Sequence, residues 1–311
     1  MNPHVLSRRE FNALCVAAGL SAASAGAMGA LSAAPALAAG SPPRTVRLRS
    51  GAVVPAIGQG TWHLGQGRHP AALEEEALRT GVSLGMTLID TSGNYGGGRS
   101  EELIGRAIAG ERNRVFLVSK VEAYEAPGDG MARACEASLR RLRTDYLDLY
   151  LLHSPVPASQ FSGVVAGFEQ LRASGKIRAW GVSNFNTRQM DALFRVPNGD
   201  RCATNQVPYS LNNRAIARDL LPWSQQHGLP VMAYSPLGGD NNLVIRNRTL
   251  ARIGAAHGAS AAAVALAWVV RGGDVIAIPE SGVPAHVREN AEALSLTLTP
   301  QDLRTLDAAY P

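Results

Sequence analysis

Three cysteines in 311 residues, Cys15, Cys135 and Cys202, are too few to staple a fold, and two buried thiols are the expected reading of the latter pair. No run of Lys or Arg accompanies the sequence pI of about 9.4, because basic residues are scattered among acidic ones. Nucleic acid is therefore not expected as a partner. No G-x-G-x-x-G phosphate loop follows the first apolar strand, which removes the usual signature of a doubly wound dinucleotide fold. Only one carboxylate, Asp90, stands clearly at the end of an apolar strand, and a glycosidase would need two in opposition. No long exposed apolar segment calls for a second copy, so a monomer is the expectation. No metal is expected.

The N-terminus is apolar without being strongly hydrophobic. Ser7-Arg8-Arg9-Glu10-Phe11 carries paired arginines, no charge occurs from Phe11 to Pro43, and Ala36-Leu37-Ala38 offers small residues for cleavage. Residues 1–38 thus read as a twin-arginine signal peptide handled by the twin-arginine export machinery, giving a periplasmic or secreted protein. A stretch built from Ala, Gly and Ser rather than Leu and Ile does not make a stable membrane anchor. Residues 39–45 form a Pro-containing linker, and the folded domain runs over 46–311.

Within that domain, Thr45–Leu48 and Val53–Pro55 flank Arg49–Ala52 as a β-hairpin. A first barrel strand follows over 57–62. From Pro70 onward, helical stretches near 70–84, 100–110, 129–142, 161–174, 187–196, 213–227 and 260–270 separate short apolar strands. These strands lie near 86–89, 114–119, 146–152, 177–182, 203–207, 230–233 and 274–278. Eight strands alternating with helices predict an α/β (β/α)8 TIM barrel with an N-terminal β-hairpin. Functional groups on such a barrel stand at the C-terminal ends of its strands.

Four polar residues fall there. Asp90 ends one strand and Tyr95 lies five residues on, in Asp90-Thr91-Ser92-Gly93-Asn94-Tyr95-Gly96. Lys120 ends the next strand, and His153 ends the one after it. A phenol ionises near ~10, so as an acid at neutral pH it needs a cation that favours the phenolate. Lys120 and His153 are the candidates for that cation; Lys120 beside the phenol would lower its pKa, with Asp90 holding it charged and in place, and His153 would orient an oxygen where charge grows.

These residues, with Leu151-Leu152-His153, Gly181-Val182-Ser183-Asn184-Phe185, Asn205-Gln206-Val207 and Ala233-Tyr234-Ser235-Pro236-Leu237, occur in one order that resembles the aldo-keto reductases. The resemblance spans about Arg47 to Pro311. It is most similar to the bacterial methylglyoxal reductase branch in Ala134–Leu142 and in Leu221-Pro222-Trp223. The resemblance implies a reductase that transfers hydride from NAD(P)H to a small carbonyl substrate, with Tyr95 as general acid and Trp62 and His153 on the substrate. It also implies that the hairpin closes the bottom of the barrel. Ser183, Asn184 and Gln206 would hold the carboxamide of the cofactor, and Tyr234 would stack on its nicotinamide. Ser235, Leu237, Glu280, Ser281, His286, Glu289 and Asn290 match further cofactor positions, the last two at the adenine.

The sequence departs from the family pattern at the phosphate grip. Where relatives read Ile-Pro-Lys-Ser, this chain has Ile278-Pro279-Glu280-Ser281, and His286 stands in the place of an Arg. NADP(H) is the family default. Glu280 and His286 favour NAD(H) or dual use, since a carboxylate repels a 2′-phosphate and accepts from a free 2′-hydroxyl. Ser154 replaces a Trp common after the histidine, and the chain shows no long loop beyond a final helix near 300–309. Both point to a broad, shallow site. A nucleotide-binding redox sensor on the same barrel is the alternative, against which the complete set of Asp90, Tyr95, Lys120 and His153 argues.

Overall fold

A computed structural model describes residues 42–239 and 244–311. The signal peptide assigned to 1–38 and the start of the linker lie outside the described residues. Two short strands, β1 (Thr45–Arg47) and β2 (Val53–Pro55), pair antiparallel through Val46 and Val54. The hairpin is fastened at its edge, where Arg44 N donates to Leu294 O at 2.8 Å. It leads directly into β3 (Gln59–Gly60), and so packs at the N-terminal end of the strands that follow.

Seven more strands come next: β4 (Leu88–Asp90), β5 (Phe116–Val121), β6 (Leu147–Leu152), β7 (Ile177–Ser183), β8 (Asn205–Pro208), β9 (Val231–Tyr234) and β10 (Val275–Ala277). β3 to β10 pair parallel, each with its neighbour in sequence. Parallel bridges Ile57 to Ala277 and Gly60 to Glu280 join the first strand to the last, closing the (β/α)8 barrel. The seam is tight: a Cβ on Gly60 would lie 2.8 Å from Ile278 O, so only glycine admits this approach. Strands covered on both faces read as continuous apolar runs, and β6, with every residue buried, is the plainest instance.

The helices are α1 (Ala71–Ser83), α2 (Arg99–Ala107), α3 (Gly130–Leu142), α4 (Phe161–Ala173), α5 (Thr187–Phe194), α6 (Leu220–Gln226), α7 (Arg248–His257), α8 (Ala261–Val269), α9 (Pro284–Ala291) and α10 (Pro300–Ala309). Capping boxes fix the starts of α5, through Asn186 and Gln189, and of α10, through Thr299 and Asp302.

Three expectations are corrected. The helix expected over 213–227 is broken into a 3-10 turn, Ala215–Arg218, and α6. Pro222 has no N–H to give Arg218 O, so the chain stops and restarts with Asp219 capping Leu220 N. The first strand is shorter than 57–62 and ends before Trp62. Helices α7 and α9 were not anticipated.

Cys135 and Cys202 are free and buried, and burial pushes both thiols up to about 12. Among the described residues no single helix is long and apolar enough to cross a membrane, and no cluster of His, Cys, Asp or Glu is arranged to hold a metal.

Candidate active site

The loop after β4 carries Tyr95 in a short 3-10 turn, Tyr95–Gly98, whose Gly96, Gly97 and Gly98 all have positive φ. At Gly98, φ is 94° and a Cβ would lie 2.6 Å from the Arg141 side chain. The glycine run thus lets the loop fold flat onto α3. Arg141 Nε donates to the buried Glu101 at 2.7 Å, and Glu101 also accepts from Ser119 Oγ at 2.6 Å. Ser100 Oγ ties the start of α2 to Thr61 O at 2.9 Å. The phenol is held from below by packed, fully bonded groups.

Above this base, three strand ends converge. Lys120 Nζ donates to Asp90 Oδ2 at 2.7 Å, to Thr91 O at 2.8 Å and to Tyr95 Oη at 3.2 Å. All three donors of the ammonium are therefore used, and Lys120 and Asp90 are each only 2 % exposed. Gln206 Nε2 from β8 donates to Asp90 Oδ1 at 2.7 Å, which fixes the carboxylate from the far side of the barrel. The His153 ring meets the Tyr95 ring edge-on, centroids 5.8 Å apart.

Burial lowers the Lys120 ammonium's pKa, but Asp90 and Tyr95 together outweigh it and hold the amine above its ordinary range. For Tyr95 the balance differs from the sequence expectation. Burial raises the phenol's pKa more than Lys120 lowers it, and Asp90 and Glu280 add to the rise. The result is a phenol that keeps its proton above the ordinary range. Charge is still available to the phenolate once it forms, because the amine is already in contact.

On the opposite wall, Ser183 Oγ donates to Gln206 O at 2.9 Å, and Asn184 Nδ2 donates to Ser183 Oγ at 3.1 Å and to His153 O at 3.2 Å. Tyr234 Oη donates to Asn184 Oδ1 at 3.0 Å. Asn184 and Ser235 both adopt positive φ, 63° and 49°, a conformation that costs a non-glycine residue; at Asn184 the side-chain bonds to Ser183, His153 and Tyr234 offset it.

One cavity of about 450 Å³ is bounded by Trp62, Asp90, Tyr95, His153, Ser183, Asn184, Gln206, Tyr234, Ser235, Leu237 and Glu280, with Lys120 behind the wall. Trp62 is 52 % exposed and stacks on His63, with centroids 4.4 Å apart. Ser281, His286, Glu289 and Asn290 do not line this cavity. Ser281 Oγ turns into its own loop, accepting from Val283 N at 3.1 Å, and the other three lie on α9 with only Asn290 buried.

Glu280 is not free. Both its oxygens are taken by His63, Oε2 accepting from the backbone N at 3.1 Å and Oε1 meeting Nδ1 at 3.0 Å. His63 and Glu122 were missed by sequence reasoning. Glu122 Oε1 lies 2.5 Å from His153 Nδ1. Its signal was the spacing from Lys120: two residues on, an extended chain returns a side chain to the same face.

With this geometry in view, comparison with known proteins is direct. The aldo/keto reductase family model matches residues 56–311. Methylglyoxal reductase YeaE of Escherichia coli is 50% identical over 261 residues, covering 83% of this chain and 92% of that protein. A crystal structure of an aldo/keto reductase from Klebsiella pneumoniae in complex with NADP and acetate superposes with a TM-score of 0.82 at 47% identity, over 86% of this chain and 96% of that one. The thermostable aldo-keto reductase Tm1743, solved with the inhibitor epalrestat, gives 0.76 at 37% identity, over 85% and 98%. The chain belongs to the aldo/keto reductase family.

Proposed function

We propose that this aldo-keto reductase reduces small aldehydes and ketones, 2-oxoaldehydes such as methylglyoxal among them, with Tyr95 as the general acid. The observation that carries this reading is the hydrogen-bonded chain Gln206, Asp90, Lys120, Tyr95, which ends in a phenol on the wall of the cavity beside His153. The relative of 50% identity is a methylglyoxal reductase, and a cavity of about 450 Å³ suits small carbonyl compounds.

The donor set fits a nicotinamide nucleotide. Ser183, Asn184 and Gln206 offer hydroxyl and amide groups to a carboxamide, and the half-buried ring of Tyr234 offers a face to a flat heterocycle. When bound, the reduced nucleotide supplies the hydride. Tyr95 then gives its proton to the oxygen on which charge develops, and Lys120 stabilises the phenolate left behind. Asp90, itself held by Gln206, keeps the amine aimed at the phenol. His153 directs the oxygen from the other side, and Trp62 covers the mouth.

NADP(H) is the expected cofactor, with a weakened preference over NAD(H). The Klebsiella pneumoniae neighbour holds NADP, while here Glu280 brings a carboxylate to the cavity and His63 ties it down. We expect dissociation constants for NADPH and NADH within about a hundredfold, ~2.7 kcal/mol, and a Glu280→Lys variant that binds NADPH at least about tenfold tighter with NADH little changed. Wild-type protein binding NADPH beyond that ratio sinks the dual-use reading. Residues 1–38 would carry the folded, loaded enzyme across the membrane by the twin-arginine route. Mass spectrometry of the secreted form, expected to begin after Ala38, tests this.

A further inference from the structure

The reductase reading leaves a carboxylate in contact with the site, Glu122, without a task. Glu122 follows the last residue of β5, does not line the cavity, and places Oε1 2.5 Å from Nδ1 of His153. Its side chain is 14 % exposed and that of His153 22 %. Ser92 Oγ stands farther from the same nitrogen, at 3.4 Å. Nδ1 is thus committed to a carboxylate, and because a carboxylate can only accept, Nδ1 is the donor. Among the described residues nothing bonds Nε2, the ring atom left for the cavity.

This arrangement constrains the ring. A neutral imidazole with its one proton on Nδ1 turns a lone pair at Nε2 towards the cavity. A lone pair repels the oxygen of a carbonyl, and more so as that oxygen gains charge. Only a ring with protons on both nitrogens donates to Glu122 and to the substrate at once, and a carboxylate in contact favours that charged form.

We propose that Glu122 is a positioning residue that holds His153 doubly protonated, so that Nε2–H meets the carbonyl oxygen with a charge-assisted hydrogen bond. The inference deepens the reductase reading and rests on it. No atom passes along the pair: the ring keeps both protons while Tyr95 gives up its own, and Glu122 stays a carboxylate throughout. The hydrogen bond from His153 holds the Glu122 carboxyl below its usual range against opposing burial, with Asn94 and Lys120 acting in the same direction.

Other charges face this corner. Lys120 of β5 and Asp90 of β4 neutralise each other at 2.7 Å, Tyr95 keeps its proton, and Glu125 in Glu122's own loop accepts from Glu122 N at 3.4 Å. Glu280 reaches the same cavity from beyond β10 but is engaged by His63. Glu122 is the carboxylate in contact with the imidazole.

The test compares wild type, Glu122→Gln and Glu122→Asp by two readouts. In the first, nitrogen NMR of the imidazole, with His153→Asn identifying the signal, follows protonation of the ring without turnover. We expect the Glu122→Gln ring to lose its second proton at a pH lower by about one unit or more, and Glu122→Asp to restore most of the wild-type behaviour. In the second, the alkaline fall in kcat for methylglyoxal moves down by the same interval, leaving nucleotide affinity unchanged. Superimposable titrations for wild type and Glu122→Gln overturn the proposal. A wild-type protein without turnover would instead overturn the reductase reading, since the NMR titration is independent of it.

Discussion

Each end of the barrel has a buried, cation-paired aspartate near a tyrosine, and the pair at the C-terminal ends of the strands faces the cavity. At the C-terminal ends of the strands, Asp90 holds Lys120 against the hydroxyl of Tyr95. Towards the N-terminal ends, Asp148 of β6 accepts from Arg112 at 2.8 Å, Arg178 at 3.0 Å and Leu117 N at 3.0 Å. Both guanidinium carbons lie 4.0 Å from the centroid of the Tyr146 ring.

The residue types match, yet the chemistry does not. Two arginines lie against the ring by its faces, Arg112 with its donors spent on fixed acceptors, and a guanidinium does not serve as an acid. An amine is a point donor, small enough to touch a phenol oxygen and leave the rest of the phenol exposed to a substrate. The lower cluster ties loop to strand, while the upper one is the cluster to which the proposed function gives acid chemistry, in keeping with the division of labour in this barrel.

That division is open to direct attack. Tyr95→Phe removes the acid and keeps the ring, and we expect kcat to fall on the order of a thousandfold with nucleotide affinity retained, as measured by fluorescence titration. Retained turnover would mean the two clusters differ in nothing but location. The Asp148→Ala change should do the reverse, lowering stability by ~2 kcal/mol in urea denaturation because two guanidinium groups and an amide lose their acceptor, with kcat/KM near wild type. The smallest effect belongs to Arg178→Ala. That side chain is 63 % exposed, and we expect no more than about 0.5 kcal/mol. A larger loss would promote it from rim to structural member.

The raised phenol has a consequence for pH. A group whose folded pKa lies above its unfolded value contributes stability fully present below the unfolded value, near ~10 for a phenol, and lost as pH rises through the folded one. Tyr95 therefore stays protonated across neutrality, and a fall of turnover in the neutral range reports on another group.

The strands and the four polar residues were legible because burial on both faces writes β4, β5 and β6 as apolar runs, and whatever ends such a run stands on the rim. Pairings across the rim were not. Nothing local in the sequence brings His63 to Glu280, 217 residues away, or Gln206 to Asp90, 116 residues away. Closure of the barrel creates those contacts. The net balance at Tyr95 was not legible for a related reason: sequence names the neighbouring cation, which does lower the phenol's pKa, but not the depth of burial that outweighs it. The break at Asp219 was readable from Pro222, whose missing N–H is a local property. Helix α7 was harder, since only Leu250, Ile253 and Gly254 of its ten residues are buried, a stripe too short to stand out beside the long apolar run of α8.

The chain holds two lysines, Lys120 and Lys176. The first is sealed behind the cavity wall, while the second sits just before β7, at the opposite end of the barrel from the site, and is partly exposed beside Glu136. Amine-reactive chemistry on the folded protein is thereby confined to Lys176 and the amino terminus. A surface, dye or crosslinker attached at Lys176 holds the enzyme with its cavity facing outward, without a single engineered residue.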